Sequence, residues 1–427
     1  MPKAPPPAVT VDLPRARAFW HRQQGLADPI GDSPHAIVQA VGWLRTLGGI
    51  DAYLALWSRG TGLTRAAVDE ALASGQLRVS PAARGCIYLV PREDLGLVMR
   101  FAEGLWRPRA EKDVAKAGGT WKEIDAVATA VLEALGKRSL TTDEIRAALP
   151  DGTVRSYGAT GKKVGLSSPL PVALRQLEFD GKVERMVSTG RLDTERYVWR
   201  RARGKAFGGS KVPSDPQART GAIVERFLQS AGPATIKDLA AWSGLSQTEA
   251  KAGLARIGAV PVMVEGYGPS FVRAGDEQAL AEISPEAKGW RLLSFEDNYT
   301  TLHGGPAVLV DPIHHGVSVK IWGRGGDATL GEAKHLASRA ILWGSELVGF
   351  WEHDPDHGAV VTGLLGQSPR GQKTALTSQA KALEHFIAEQ LGHARSFSLD
   401  TDDALRTRVA LVRAIGHATA GKSSGTA

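Results

Sequence analysis

A short pattern recurs three times along this 427-residue chain and limits the folds that the chain can adopt. In each copy a threonine precedes a short helical segment, a second helical segment follows, and two short β-rich runs close the unit. The threonines are Thr64, Thr141 and Thr235, and Glu144 and Asp238 follow the last two at capping-box spacing. Helix, helix and hairpin in this order are typical of a winged helix-turn-helix. The alternative is three unrelated α+β pieces.

The rest of the chain completes the predicted domain organisation. After residue 289, short β-rich runs such as 307–310 are separated by Gly, Pro, Asp and His, which predicts a small antiparallel sheet. The expected fold class is α+β, with tandem winged helix-turn-helix domains, a small antiparallel β-barrel-like domain and C-terminal helices. The predicted units are a disordered tail at 1–11, winged helices at 12–110, 120–200 and 214–276, a β-domain at 289–366 and C-terminal helices at 374–418.

The net charge of the chain bears on the kind of partner that it can bind. The chain has 52 Lys and Arg residues against 45 Asp and Glu residues, a formal net charge of +7. A basic surplus permits a polyanionic partner without requiring one. The polar linker at 200–216 contains Arg203 and Lys205, which either follow a phosphate backbone or are simply solvated.

Cysteine and histidine usage argues against several kinds of site. The single cysteine, Cys86, excludes an intramolecular disulfide and a cysteine-based zinc site. Histidines cluster between His314 and His357, but turn composition accounts for them, so no metal and no cofactor are predicted.

Neither a signal peptide nor a long apolar run is found, so we expect no membrane span and a cytoplasmic, nucleoid-associated protein. No dimerisation helix is evident, and a monomer is expected.

Six short sequence segments, called blocks below, occur in a characteristic order along nearly the whole chain. They include Leu-Gly-Gly-Ile-Asp-Ala-Tyr at 47–53 and Leu-Leu-Ser-Phe-Glu-Asp-Asn at 292–298, which is followed by His303. The other blocks lie at 17–26, 56–59, 84–90 and 343–351. Together these blocks resemble the AlkZ-like (YcaQ-like) DNA glycosylase family.

The resemblance implies tandem winged helices joined to a β-barrel, with double-stranded DNA held in the concave face. It also implies hydrolysis of the N-glycosidic bond of alkylated purines, including crosslinked ones. The family's catalytic motif, Gln-apolar-Gln or Gln-apolar-Asp, falls by position on Asp51-Ala52-Tyr53. This chain therefore lacks both glutamines, and Cys86 and Tyr88 stand where the family has Thr and His. The alternative function is a catalytically inactive winged-helix DNA-binding protein or a transcription regulator.

Asp51 is the candidate catalytic carboxylate, because glycosidic cleavage develops positive charge on the sugar and requires an attacking water. Its alternative role is to cap the helix that begins at Ala52. Tyr53 either stacks on a base or sugar or packs half-buried. We expect Asp51 to lie in the DNA-binding cleft with Tyr53 and Arg84 nearby. The residues predicted to contact DNA are Arg59, Arg84, Tyr88, Arg203, Lys205 and His303.

Overall fold

The recurring sequence pattern folds into three helical units, each of which ends in an antiparallel hairpin. The structure is a computed structural model that describes residues 7–194, 196–284, 289–323 and 326–423. These residues form a mixed α+β fold, in which the three units are followed by a larger antiparallel sheet and C-terminal helices. None of the described helices is both long enough and apolar enough to cross a membrane.

The first unit packs its helices against a three-stranded sheet. Its elements are β1 (Thr10–Val11), α1 (Leu13–Gln23), α2 (Pro34–Val41), β2 (Leu44–Arg45), α3 (Asp51–Trp57), α4 (Arg65–Ala73), β3 (Leu77–Pro81), β4 (Ile87–Pro91) and α5 (Leu95–Lys116). The sheet order is β2-β4-β3, so the short strand between two helices pairs with the last strand of the hairpin.

The Thr64 hydroxyl accepts a hydrogen bond from the Ala67 N–H, which confirms the predicted cap of α4. Only residues 74–76 separate α4 from β3, and these residues form no helix. The prediction of a second helix after this cap is therefore wrong. The partner of the Thr64-capped helix α4 in this unit is α3, which lies before α4 in the chain rather than after it.

The second unit repeats the same connection. Its elements are α6 (Trp121–Leu135), β5 (Ser139–Leu140), α7 (Thr142–Ala148), α8 (Gly158–Lys163), α9 (Leu170–Phe179), β6 (Val183–Val187) and β7 (Tyr197–Arg201). Thr141 and Glu144 form the predicted capping box at the start of α7. The sheet order β5-β7-β6 again pairs the short first strand with the last strand of the hairpin.

The third unit has the same order with a shorter first strand. Its elements are α10 (Pro216–Ala231), α11 (Ile236–Ser243), α12 (Gln247–Arg256), β8 (Val260–Val264) and β9 (Gly268–Val272), and α13 (Asp276–Glu282) follows. Ala234 forms a single bridge to Phe271 of β9, at the position that β2 and β5 take in the other units. Thr235 and Asp238 form the second predicted capping box, at the start of α11.

The N-terminal strand joins this third sheet. Thr10 and Val11 pair in parallel with Met263 and Val264 of β8, and Val11 is buried. The prediction of a disordered tail over 1–11 is therefore wrong at Thr10 and Val11, because the apolar Val11 side chain is covered by the third unit. Residues 1–6 of that tail lie outside the described residues.

The C-terminal part contains the largest sheet. Its elements are β10 (Trp290–Leu292), α14 (Asn298–Thr301), β11 (Ser318–Lys320), β12 (Asp327–Thr329), β13 (Arg339–Trp343), β14 (Glu346–Asp354), β15 (Ala359–Leu364), α15 (Lys373–Phe386) and α16 (Asp402–Ser423). The antiparallel order is β10-β13-β14-β15, and β11 pairs separately with β12. The β-rich run at 307–310 is not a strand, since a 3-10 turn occupies Pro306–Val308.

The first unit and the C-terminal part share one hydrophobic core. Tyr53 and Leu56 of α3 belong to the same buried cluster as Ile341 of β13, Trp351 of β14 and Leu383 of α15. The sequence predicts the first winged helix and the β-domain as separate units, but residues of both are buried in this one core. This shared core fixes α3 and its neighbours against the segment that follows β10.

Candidate functional site

A cleft of about 180 Å³ lies where three parts of the chain meet. The turn between β3 and β4 contributes Arg84, α11 contributes Trp242, and the segment between β10 and α14 contributes Glu296. Arg45 of β2 and Lys334 also line the cleft, so three cationic side chains line it together with Glu296. Such a mixture of a carboxylate and several cations suits a substrate that carries both phosphate and a developing positive charge.

The backbone of two cleft residues is strained. Among the described residues, the non-glycine residues with positive φ are Arg84 at 55°, Phe207 at 54° and Glu296 at 53°. A left-handed conformation costs a non-glycine residue on the order of 1 kcal/mol, and such residues concentrate at functional sites. Arg84 and Glu296 both line the same cleft. The strain therefore marks this cleft as the candidate site.

Glu296 is held in a single orientation at the base of the cleft. Its side chain is 1% exposed, and Arg45 Nη1 donates a hydrogen bond to its Oε2 at 2.7 Å. His335 Nδ1 lies 2.8 Å from the same oxygen and 3.1 Å from Oε1. The His335 side chain is 35% exposed and faces the cleft. A buried carboxylate thus contacts one permanent cation and one imidazole that reaches solvent.

Asp51 contacts the backbone of the residue before Glu296 but does not line the cleft. Its carboxylate accepts hydrogen bonds from the Phe295 N–H at 2.7 Å and from Arg339 Nε at 3.0 Å, and Arg339 also pairs with Glu352. Burial raises the pKa of the Asp51 carboxyl above its ordinary value, and Arg339 opposes the rise. The expectation that Asp51 lies in the cleft thus differs from the structure, because Arg339 and the Phe295 amide hold its carboxylate.

Asp51 does not serve as a helix cap either. It is the first residue of α3, the capping position is Ile50, and no side-chain hydrogen bond caps the helix there. Its observed role is to fix the amide of the residue before Glu296. Asp51 therefore acts on the cleft indirectly, through the backbone that carries Glu296.

A second buried ion pair holds the other side of Glu296. Arg59 Nη2 and Nη1 donate to the two oxygens of Asp297 at 2.7 Å and 2.8 Å, and both side chains are 0% exposed. Burial alone would raise the pKa of Asp297, but the Arg59 guanidinium outweighs burial and lowers it. The Asn298 amide group also donates to the Trp43 carbonyl at 3.1 Å. Glu296 is therefore flanked on both sides by residues tied to the first unit.

A sequence profile described as DNA glycosylase AlkZ-like matches residues 49–386. The chain belongs to the AlkZ-like DNA glycosylase family. The matched range contains Glu296, Arg84 and His335 and ends at Phe386, the last residue of α15. Membership supports DNA binding and a DNA-repair glycosylase at the level of the family.

A solved structure shows the same fold. Streptomyces sahachiroi DNA glycosylase AlkZ is similar with a TM-score of 0.66 at 19% identity, over 91% of this chain and 99% of that chain. At this identity the likeness concerns the fold. No curated protein sequence matches the chain at a significant level.

In this AlkZ-like chain, Tyr53 connects two units rather than facing the cleft. Its hydroxyl donates to Asp69 at 2.7 Å and accepts the Leu192 N–H from the hairpin loop of the second unit at 3.0 Å. Its side chain is fully buried, and burial raises its pKa, so the phenol stays neutral. The expected stacking of Tyr53 on a base or sugar therefore differs from its place in the structure.

The same hairpin loop is tied to the C-terminal part through Asp193. Its carboxylate pairs with Arg191 and lies 3.2 Å from His393 Nε2. Burial alone would raise the pKa of Asp193, but hydrogen bonds from His393 and Arg191 lower it to about 2. The second unit is therefore fixed to α3 and to the segment after α15.

Two residues that we expected at the DNA surface lie in the interior. Arg59 is fully buried against Asp297, so its guanidinium is already committed. His303 stacks on Trp20 with ring centroids 3.8 Å apart, and its Nε2 lies 2.8 Å from the Ala231 carbonyl. Burial lowers the pKa of His303 and favours the neutral imidazole. These placements differ from the predicted DNA contacts, because residues far away in the chain surround both side chains.

Of the other four predicted DNA contacts, three are exposed and Tyr88 is buried. Arg84 and Tyr88 line the cleft together, although only 3% of Tyr88 is exposed. Burial raises the pKa of Tyr88, so its phenol stays neutral. Arg203 and Lys205 are exposed in the linker between the second and third units.

The residues that form the centre of the cleft were not predicted. Glu296 lies within the family-like block at 292–298, where an acidic residue next to Asp297 was the available signal. Arg45 and His335 had no such signal, since they meet Glu296 only in the folded chain. The described residues contain no cluster of three or more His, Cys, Asp or Glu side chains suited to a metal ion.

Proposed function

We propose that this protein is a DNA glycosylase that hydrolyses the N-glycosidic bond of N3- or N7-alkylated purines, including purines in crosslinks. The observation that carries the proposal is the pair of strained residues, Arg84 and Glu296, in one cleft of a chain from this family. The cleft is proposed to hold the sugar and the damaged base.

The chemistry of the proposed reaction suits a buried carboxylate. An N3- or N7-alkylated purine is already cationic and leaves as a neutral base, so its departure needs little acid assistance. The site must instead stabilise positive charge on the sugar and position a water. Glu296 supplies a negative charge whose orientation is fixed in advance by Arg45 and His335. Fixed charge of this kind lowers a barrier without further reorganisation.

Access to the cleft requires the target nucleotide to leave the duplex, because its anomeric carbon is shielded within stacked DNA. Arg84 and Lys334 at the cleft and the exposed Arg203 and Lys205 offer cations to phosphates. We expect little sequence preference and strong dependence on salt. With about six phosphate contacts, the slope of log K against log salt is about −5.

The three helical units are proposed to be winged helices that hold the duplex. The support is their shared topology, in which a strand or bridge between two helices pairs with the last strand of the hairpin. Accordingly, we propose units at about 12–110, 120–200 and 214–276 as the DNA-binding part.

The experiment is to incubate the protein with duplexes that contain N7-methylguanine or N3-methyladenine and to measure free base by chromatography. Wild-type protein and the Glu93→Gln variant should release base at equal rates. Glu93 is a suitable control because it pairs with a histidine, His35, at 2.9 Å outside the cleft. A protein that binds these duplexes but releases no base would refute the enzyme and favour a catalytically inactive DNA-binding protein.

A further inference from the structure

The Glu296 carboxylate has little access to water. Its side chain is 1% exposed, and its oxygens contact Arg45 Nη1 and His335 Nδ1. The His335 side chain is 35% exposed and lines the cleft. A water that enters the cleft therefore meets the imidazole more readily than it meets the carboxylate.

The contact with Glu296 selects one tautomer of His335. A carboxylate only accepts hydrogen bonds, so Nδ1 carries the proton when it donates to Glu296. The neutral ring then has its lone pair on Nε2, and no hydrogen bond to Nε2 is found among the described residues. A carboxylate that orients a histidine and stabilises its protonated form is a recurring arrangement for general-base catalysis.

We propose that His335 is the general base that activates the attacking water, and that Glu296 is a positioning residue that acts through it. This inference rests on the proposed glycosylase function and identifies the base. Arg45 Nη1 donates to the same Oε2 that lies 2.8 Å from His335 Nδ1, and it thereby holds the carboxylate in contact with the ring.

The proposed step is balanced. The water oxygen forms a bond to the anomeric carbon as its proton moves to His335 Nε2. The bond between the anomeric carbon and the purine nitrogen breaks, and its electron pair stays on the cationic alkylpurine, which leaves neutral. The products are the free base, an abasic sugar with a hydroxyl at the anomeric carbon, and an imidazolium paired with Glu296. The imidazolium then returns its proton to solvent.

The pH dependence follows from the groups around the ring. Proton acceptance requires neutral His335, so the rate should rise with pH until the imidazole is deprotonated. Tyr88 remains a neutral phenol because burial raises its pKa. The charged and titratable side chains that line the cleft with His335 are Glu296, Arg45, Arg84, Tyr88, Asp238 and Lys334.

The test compares pH profiles of single-turnover base release from DNA that contains N7-methylguanine. His335→Gln is the main variant, and Glu296→Gln removes the carboxylate that orients the ring. His35→Gln is the matched control, since His35 pairs with Glu93 at 2.9 Å outside the cleft. DNA affinity is measured for each protein at the same pH values.

We expect the wild type and His35→Gln to show the same rising limb, which is the part of the pH profile where the rate of base release increases with pH. His335→Gln should be slower by a factor of about 10² or more at the plateau and should lose the limb, with unchanged DNA affinity. Glu296→Gln should keep the rising limb but release the base more slowly, because His335 still accepts the proton while its ring is no longer oriented. Glu296→Asp restores a carboxylate and should recover part of the rate, whereas no recovery would indicate a merely structural role of Glu296.

The two possible failures are distinguishable. A wild type that releases base, together with a His335→Gln variant that keeps its rate and its limb, overturns the general base and leaves the glycosylase intact. A wild type that releases no base at any pH overturns the proposed function, and the inference with it.

Discussion

The buried pair between Arg59 and Asp297 offers a quantitative test of how the cleft is built. Both side chains are 0% exposed, and two hydrogen bonds of 2.7 Å and 2.8 Å join them. In Arg59→Met a side chain of similar length remains, but the buried carboxylate loses its counter-ion. Removing one partner of a buried pair costs about 3–5 kcal/mol, since the remaining charge stays desolvated.

The structure supports the upper part of that range. Arg59 also donates to the carbonyls of Gln24 and Ala55 at 2.9 Å and 3.0 Å. The Gln24 carbonyl would lose this donor, whereas the Ala55 carbonyl keeps the Ser58 hydroxyl at 3.1 Å. Asp297 would retain only the Ser294 hydroxyl and the Tyr299 N–H, each at 2.9 Å. We therefore expect Arg59→Met to lower the free energy of unfolding by about 4 kcal/mol.

The assay is urea denaturation of the wild type, Arg59→Met, Asp297→Asn and the double variant. The double variant should cost less than the sum of the single variants by about 1–3 kcal/mol, because the two residues interact directly. Arg395→Met is the control, since Arg395 pairs with Asp402 at 3.5 Å and both side chains are about half exposed. It should change stability by less than about 0.5 kcal/mol. A loss below about 1 kcal/mol in Arg59→Met would refute the reasoning.

Three further predictions concern stability and binding. The pKa of Asp193 is lowered to about 2, so its contribution, about 1 kcal/mol after solvent screening, is present above about pH 4 and lost towards pH 2. Acid denaturation of Asp193→Asn should lack this component. A Cβ on Gly49 would lie 2.2 Å from the backbone of Ser396, so Gly49→Ala should cost about 3 kcal/mol in thermal unfolding. Helical Gly104→Ala meets nothing within 4 Å and should be neutral or slightly stabilising. Arg84→Ala should reduce the magnitude of the salt slope of DNA binding by about 1.

Features that depend on nearby residues were predictable from the sequence. The caps at Thr64, Thr141 and Thr235 each join a hydroxyl to an amide three residues along the chain. The same local logic predicted the three hairpins and most of the C-terminal strands. The prediction of a second helix after the Thr64-capped helix was wrong. The cap itself was correct, but the capped helix is the last helix before the hairpin.

The cleft depends on contacts between residues far apart in the chain. Arg45 and Glu296 are separated by 251 positions, and Asp51 and Arg339 by 288. A carboxylate at Asp51 looked suitable for catalysis because sequence position alone does not show which partner neutralises it. Only the folded chain shows that Arg339 does so, and that Glu296 is the carboxylate of the cleft.

The most direct test of the proposed active site is the single-turnover release of N7-methylguanine by the wild type and Glu296→Gln, with DNA affinity measured in parallel. Wild-type protein at saturating concentration should release the base. At neutral pH, Glu296→Gln should bind DNA equally well and release the base more slowly by a factor of about 10². Equal release by both proteins would contradict the assignment of the active site to this cleft.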